Sequence, residues 1–343
     1  MSKKICIIRD DRLGDLILTL PVVEALKHEN DVEITLLCSH INKNLARNTK
    51  LFESIIVFRE GIFNQIKLIR NLRKEKFDYI INCSPFKNRF YKILLSGKYK
   101  ATSLLLSRYK RNSSLKKLFF KTLLNFFYNY VQIVDRYENR LQNNISHQTN
   151  IVLKLLNNMG LKLNTVKSYN FSPNHYENKN IIIIHLSNQW LLDTRINQLK
   201  ELMRLINQEN RYKLILTTEK KIHSQYVEMV KGITLFNKNY KMEINKTYLC
   251  FEQSFDDWIE TLNLASHVIT PECGCSHVAT MLRKKTIIIY DESNHPDLIN
   301  KEYEPYKNHY TKLVFKKDDI VADIMKFLRS VSYTHLTLPT TPY

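Results

Sequence analysis

Three aspartates and two arginines crowd into RDDRLGDLILTLP, Arg9 to Pro21, directly behind the apolar run KICII. Such a place offers a carboxylate for proton transfer: Gly14 allows a tight turn and a helix N-terminus favours the charge of Asp15. Asp15 is then either a general base or a helix-stabilising charge, and Asp11 and Arg12 either shape the turn or touch a substrate. No GxGxxG accompanies it, so the dinucleotide fingerprint is absent. A second place is HLSNQW, His185 to Trp190, where Ser187 and Asn188 suit either phosphate oxygens or an ordinary turn. A third is ITPECGCSHVATMLRKKTIIIYD. There the backbone N–H groups of Cys273, Gly274 and Cys275, backed by a helix dipole, make an anion site suited to a diphosphate. His277 adds a donor or simply packs and caps. One CxC without a second pair does not make a metal centre, so no metal is expected.

The elements that must carry these residues are legible from periodicity. KICIIR, EITLLC, SIIVF and DYIINC, then NIIIIHLS, YKLILTT, HVIT and TIIIYD, are strand-sized apolar runs separated by stretches of helical period. Continuous apolarity predicts parallel sheets covered by helices on both faces, an α/β protein. With 343 residues the chain is long enough for two domains. VKSYNFSPNHYENKN breaks the alternation, which divides the chain into an N-terminal Rossmann-like domain (1–168), a linker (169–180) and a C-terminal Rossmann-like domain (181–330). The Thr- and Pro-rich end, 331–343, reads as a disordered or non-native tail. Two such domains are expected to face each other across a cleft, with ligands beyond the carboxyl ends of the strands.

The formal charge of +19 implies an anionic partner: nucleic acid, an acidic membrane or a phosphorylated substrate. From Tyr79 to Val134 there is no acidic residue but eleven lysines and arginines, concentrated in segment 87–121. Within the acid-free stretch, Leu115, Leu118, Phe119, Leu123, Phe126 and Tyr130 of LKKLFFKTLLNFFYNY form an apolar face. That helix is either a core element with a solvated back or a basic amphipathic element lying on a membrane. The N-terminal apolar run is too short for a signal peptide, and nothing reaches the roughly 18 to 20 apolar residues of a membrane span. Scattered cysteines in apolar runs suit a reducing compartment. A cytoplasmic protein, soluble or peripheral at a membrane, is the expectation.

RLGDLILTLPVVEAL and ECGCSHVATMLRKKTIIIYD, in that order and at that separation, with SFDDWIETLNLASHVIT between them, resemble glycosyltransferase family 9, the lipopolysaccharide core heptosyltransferases. The resemblance extends to about residue 328. It implies a GT-B fold and inverting, metal-independent transfer of a sugar, most simply heptose from ADP-heptose, to the lipopolysaccharide inner core, with no cofactor beyond the nucleotide-sugar donor. It assigns Asp15 as the general base, Gly14, Asp11 and Arg12 to the acceptor side, and the Gly274 turn to the donor diphosphate. Ser187 and Asn188 fall on phosphate contacts, and Thr218 and Glu219 on ribose or base contacts. Glu272 and Cys273 replace the family's aspartate and threonine, and Arg195 is the nearest cation to a missing lysine. The implied acceptor is an anionic lipid-linked saccharide at the cytoplasmic face of the inner membrane. Two alternatives stand beside this one: a GT-B transferase using another nucleotide sugar or glycan acceptor, and a basic nucleic-acid-binding protein. No RNP-type motif supports the latter, so no nucleic-acid partner is expected.

Overall fold

A computed structural model of the chain describes residues 2–83, 91–171, 180–192, 195–218, 224–237, 242–251, 253–315 and 320–333. These residues form two compact units, 1–171 with 297–307, and 172–296 with 308–343. The sequence division gave all of 181–330 to the second domain; the short stretch Asp297–Lys307 instead packs into the first unit. It lacks any local signal of this, because its partners are distant ionic groups described below.

The first unit carries strands β1 (Lys3–Arg9), β2 (Val32–Cys38), β3 (Ser54–Val57), β4 (Phe77–Asn82), β5 (Gly97–Leu105) and β6 (Tyr130–Val134). They pair in parallel in the order β3-β2-β1-β4-β5-β6. Ile5, Cys6, Ile7 and Ile8 of β1 are all buried, as expected of a central strand covered on both faces. Helix Leu20–Glu29, with proline in its first turn, buries Leu20, Val22, Val23, Ala25 and Leu26. Where β5 starts, a Cβ on Gly97 would fall 2.8 Å from Ile80 Cγ1, so the close approach to β4 requires glycine.

The second unit carries β7 (Ile181–Leu186), β8 (Lys213–Thr218), β9 (Thr234–Leu235), β10 (Thr247–Cys250), β11 (His267–Pro271), β12 (Lys285–Asp291) and β13 (Thr311–Phe315). Their order is β13-β12-β11-β7-β8-β10-β9, again parallel. Trp190, Leu199, Leu202, Ile206, Ile324 and Leu328 close one core over this sheet. The fold class is therefore the GT-B type read from the sequence, two parallel α/β sheets. Periodicity picked out β1 to β4, β7, β8, β11 and β12, edge strand β3 among them, and missed β5, β6, β9, β10 and β13. All five lie at or next to a sheet edge. In these strands Lys, Ser, Thr, Tyr or Gln interrupts or shortens the apolar run.

Chain order reverses between β1 and β4 in the first sheet and between β7 and β11 in the second. Open α/β sheets bind ligands at such switch points. All three chemistry-bearing stretches follow one of these four strands.

The basic helix resolves one alternative. Residues Ser114–Asn125 form a helix with no buried residue, and Leu115 and Phe126 are each 80% exposed. The core-helix reading is thereby overturned: Leu115, Leu118, Phe119, Leu123 and Phe126 are exposed, while Tyr130, read as part of the same face, lies beyond the helix in β6.

Candidate active site

The turn after β1 is held by a buried arginine. Arg9 Nε donates to the backbone carbonyl of Asp15 (3.0 Å) and to Thr19 Oγ1 (3.0 Å). Its Nη1 donates to Asp11 Oδ2 (3.2 Å) and to the carbonyl of Cys83. Thr19 Oγ1 adds a bond to the same Asp15 carbonyl (2.9 Å). Ser39 Oγ and Asn42 Nδ2 then fix the carbonyl of Asp11 (3.1 and 3.4 Å), and Asn42 that of Arg9 (3.1 Å). Arg9, Ser39 and Asn42 thus join the ends of three neighbouring strands at one turn. Burial opposes the Arg9 charge, yet the carboxylates of Asp11 and Asp15 outweigh it and hold the guanidinium protonated.

Asp15 stands in the first turn of helix Leu13–Ile17, half-buried. The bonds from Arg9 and Thr19 go to its backbone, which leaves its carboxylate outside this bracing. Gly14 lies within the helix and not in the left-handed region, so the turn does not use the freedom that the sequence reading assigned to it. Arg12 is exposed and precedes the helix without a side-chain cap. Asp11 is pushed up to about 6, chiefly by burial and only partly offset by Arg9, with Asp15 and Asp10 adding repulsion. Asp10 is wholly buried and paired with Lys92 Nζ at 2.9 Å. Sequence reasoning counted Lys92 only among surface cations; a partner 82 residues away leaves no local trace.

The second turn follows β11. Cys273 precedes helix Gly274–Met281 in extended conformation, so the N–H groups that open the helix follow directly on the strand. Glu272 N continues the ladder to the Ile289 carbonyl (3.0 Å), and the Glu272 carbonyl accepts from Gln189 Nε2 (3.3 Å). Gln189 belongs to the turn after β7, so the two switch-point turns of this sheet are tied together. Ser187 Oγ caps Gln189 N (3.3 Å), Tyr226 donates to the Ser187 carbonyl (2.5 Å), and Asn188 is exposed. Cys275 and His277 are buried in the helix, while Glu272, Cys273 and Gly274 are half-buried. Thr218 ends β8, half-buried; Glu219 lies outside the described residues. His185 is held neutral by burial, down to about 4, with Nδ1 3.0 Å from Thr217 Oγ1.

The sequence model of glycosyltransferase family 9 (heptosyltransferase) matches residues 65–319. The chain belongs to that family. No curated protein sequence matches it. The fold is similar to that of E. coli heptosyltransferase WaaC with ADP, at 13% identity, covering 95% of this chain and 99% of that one, TM-score 0.70. It is also similar to the family 9 glycosyl transferase from Veillonella parvula DSM 2008 (16% identity, 96% and 89% covered, TM-score 0.68). E. coli ADP-heptose lps heptosyltransferase II is a third (13% identity, 97% and 98% covered, TM-score 0.69). At these identities the likeness is one of fold.

In this family 9 chain the matched span takes in both turns of the second unit and stops short of the β1 turn. Asp15 rests on its own geometry. Arg195, expected to replace a missing phosphate cation, is engaged within the protein. It pairs with Asp291 Oδ1 (3.0 Å), donates to the Gln189 carbonyl (3.3 Å) and lies over the Phe315 ring at 4.3 Å. In this arrangement it braces the β7 turn. The sequence reading also missed Arg9, Gln189 and Tyr226; their types carry no chemistry until the fold places them. Among the described residues no group of three or more His, Cys, Asp or Glu side chains is placed to hold a metal ion.

Proposed function

We propose that this family 9 protein is an inverting glycosyltransferase that moves heptose from ADP-heptose to the lipopolysaccharide inner core without a metal. Asp15 takes the proton from the acceptor hydroxyl as that oxygen attacks the anomeric carbon. The N–H groups of Cys273, Gly274 and Cys275 receive the charge that grows on the departing diphosphate. Ser187 and Asn188 touch the phosphates, and Thr218 and Glu219 the nucleoside. The observation that carries this reading is that the Asp15 turn and the Gly274 turn each follow a strand at its sheet's switch point, in a chain of this family. Glu272 and Cys273 leave room for a different nucleotide sugar. Thermal-shift comparison of ADP, UDP, GDP and CDP tests the donor: ADP is expected to raise the melting temperature most, and selective stabilisation by UDP would overturn the ADP-heptose assignment.

The acceptor is read as an anionic lipid-linked saccharide, met at the cytoplasmic face of the inner membrane through the basic segment 87–121. Lys87 and Arg89 lie outside the described residues and Lys92 is buried; helix Ser114–Asn125, whose apolar residues are exposed, is the lipid-facing element of this reading. Leu118 and Phe119 are 62% and 64% exposed, flanked by exposed Lys116 and Lys121. Apolar insertion and attraction to anionic headgroups act together on such a helix. No helix among the described residues is long and apolar enough to cross a membrane. Replacing Leu118 and Phe119 together by glutamate is expected to weaken co-sedimentation with phosphatidylglycerol vesicles at least about tenfold, without changing the melting temperature. Undiminished binding by that variant would rule this surface out.

A further inference from the structure

Helix Ile62–Lys74, which joins β3 to β4, buries Leu72 and packs Leu68 and Ile69 on a core that includes Cys6, Ile8 and Ile80. A helix seated in this way is expected to turn polar residues outward. This one instead turns out Ile62, Phe63 and Ile66 in its first two turns, 70%, 84% and 48% exposed. Exposed Lys67, Arg70 and Lys74 continue the same outward arc, and no acidic residue lies between Ile62 and Lys74, although Glu60 and Glu75 flank the helix. The outward face thus begins apolar and continues basic, and burial in the core does not account for its beginning.

Topology places this helix on the same face of the sheet as Ser114–Asn125. In the order β3-β2-β1-β4-β5-β6, the connections from β3 to β4, β4 to β5 and β5 to β6 advance in one direction, while those from β1 to β2 and β2 to β3 advance in the other. Right-handed crossovers set helices on connections of one direction against one face. The contacts agree. Arg73 Nη2 of the first helix donates to the Leu94 carbonyl (3.1 Å). Lys100 of β5 is in register with Ile80, and Ile80 with Cys6 of β1. Its Nζ donates to the Ile93 carbonyl (2.7 Å) and lies 5.2 Å from the centre of the Tyr128 ring. Tyr128 N in turn closes on the Leu124 carbonyl at the end of Ser114–Asn125 (2.9 Å). Both helices start at the carboxyl ends of strands: the first follows β3, and Lys117 in the first turn of the second pairs with Asp135, directly after β6. The Asp15 turn leaves β1 at that same end.

Both outward faces are cationic, so a second copy of this chain would set like charges against each other across a symmetric contact. An anionic lipid surface suits both parts of each face, because apolar side chains enter it while lysines and arginines meet the headgroups. We propose that helix Ile62–Lys74 is a second lipid-contacting element: Ile62, Phe63 and Ile66 enter an anionic membrane surface beside helix Ser114–Asn125 and hold the strand ends that carry the Asp15 turn next to the lipid. The proposal rests on the lipid-facing reading of Ser114–Asn125. The full chain carrying Ile62→Glu and Phe63→Glu is expected to co-sediment with phosphatidylglycerol vesicles at least about tenfold more weakly, with an unchanged melting temperature because both side chains are exposed. In Phe63→Trp, the added emission is expected to shift to the blue on those vesicles and to be quenched by brominated acyl chains. Undiminished binding by the glutamate variant, or a tryptophan at 63 that brominated chains leave unquenched, overturns the proposal. Dissociation of a dimer by the glutamate variant, with vesicle binding intact, would assign the face to a second copy instead. Leu118→Glu with Phe119→Glu, measured alongside, separates the two readings. If that variant binds as wild type, the earlier reading falls and this pairing of helices with it; if it is weakened while the Ile62 and Phe63 variant is not, only the present proposal falls.

Discussion

Asp15→Asn is expected to lower kcat by about 10²- to 10⁴-fold, the usual worth of a general base, while ADP binding stays unchanged. The substitution preserves shape and removes the ability to accept a proton. The turn should survive it, because Arg9 Nε and Thr19 Oγ1 bind the backbone carbonyl of residue 15 and not its side chain. A fall in kcat with KM for the donor untouched would mark an interaction made only in the transition state. Isothermal titration with ADP and a coupled transfer assay on the same preparation check both halves. Retention of more than about a tenth of wild-type kcat would remove Asp15 from the base role.

Lys92→Met is expected to destabilise the protein by about 3–5 kcal/mol, the cost of leaving a buried charge without its partner. Asp10 has no exposed side-chain surface and Lys92 only 3%. Neither carboxylate nor ammonium can fall back on water when the other is lost. In the melting temperature this amounts to a fall on the order of 10 °C. Asp10→Asn combined with Lys92→Met removes both charges together and is expected to recover much of the loss, since the penalty belongs to the orphaned ion. Urea unfolding of the two variants decides the matter; a cost below about 1 kcal/mol for Lys92→Met alone would show that the pair is not sealed from solvent. Asp10 adjoins Asp11 in the same turn, so the pair also stiffens the backbone from which Asp15 is presented.

How much of this was legible beforehand varies residue by residue. The runs KICIIR and NIIIIHL are continuous in Ile because both faces of a central strand are covered, and they located the switch-point strands. The polar residues directly after β1, β7 and β11, RDDRLGD, LSN and ECGC, follow from the same logic. The edge strand TKLVF escaped notice because Thr and Lys shorten its apolar run. Arg195 illustrates another limit. A cation near a turn reads as ligand-binding until its own acceptors, Asp291 and the Gln189 carbonyl, are in view. The apolar face of Ser114–Asn125 was recognised as amphipathic, but whether anything covered it was open to either answer.

Periodicity, turn chemistry and charge act over a few to a few dozen residues, and from them the sequence alone determined the parallel α/β class and the polar turns that follow β1, β7 and β11. The same local signals located the acid-free basic stretch. The partners of the buried charges lay beyond that reach. Asp10 meets Lys92 across 82 residues and Arg108 meets Tyr303 across 195. Nothing in the local pattern of a lysine or a tyrosine says which distant group will neutralise or orient it. That is settled when β1, β4, β5 and β6 line up and bring their carboxyl ends together. The tertiary structure thereby decided that Arg9 braces the turn, that the 297–307 stretch rejoins the first unit, and that Glu302 pairs with Arg108.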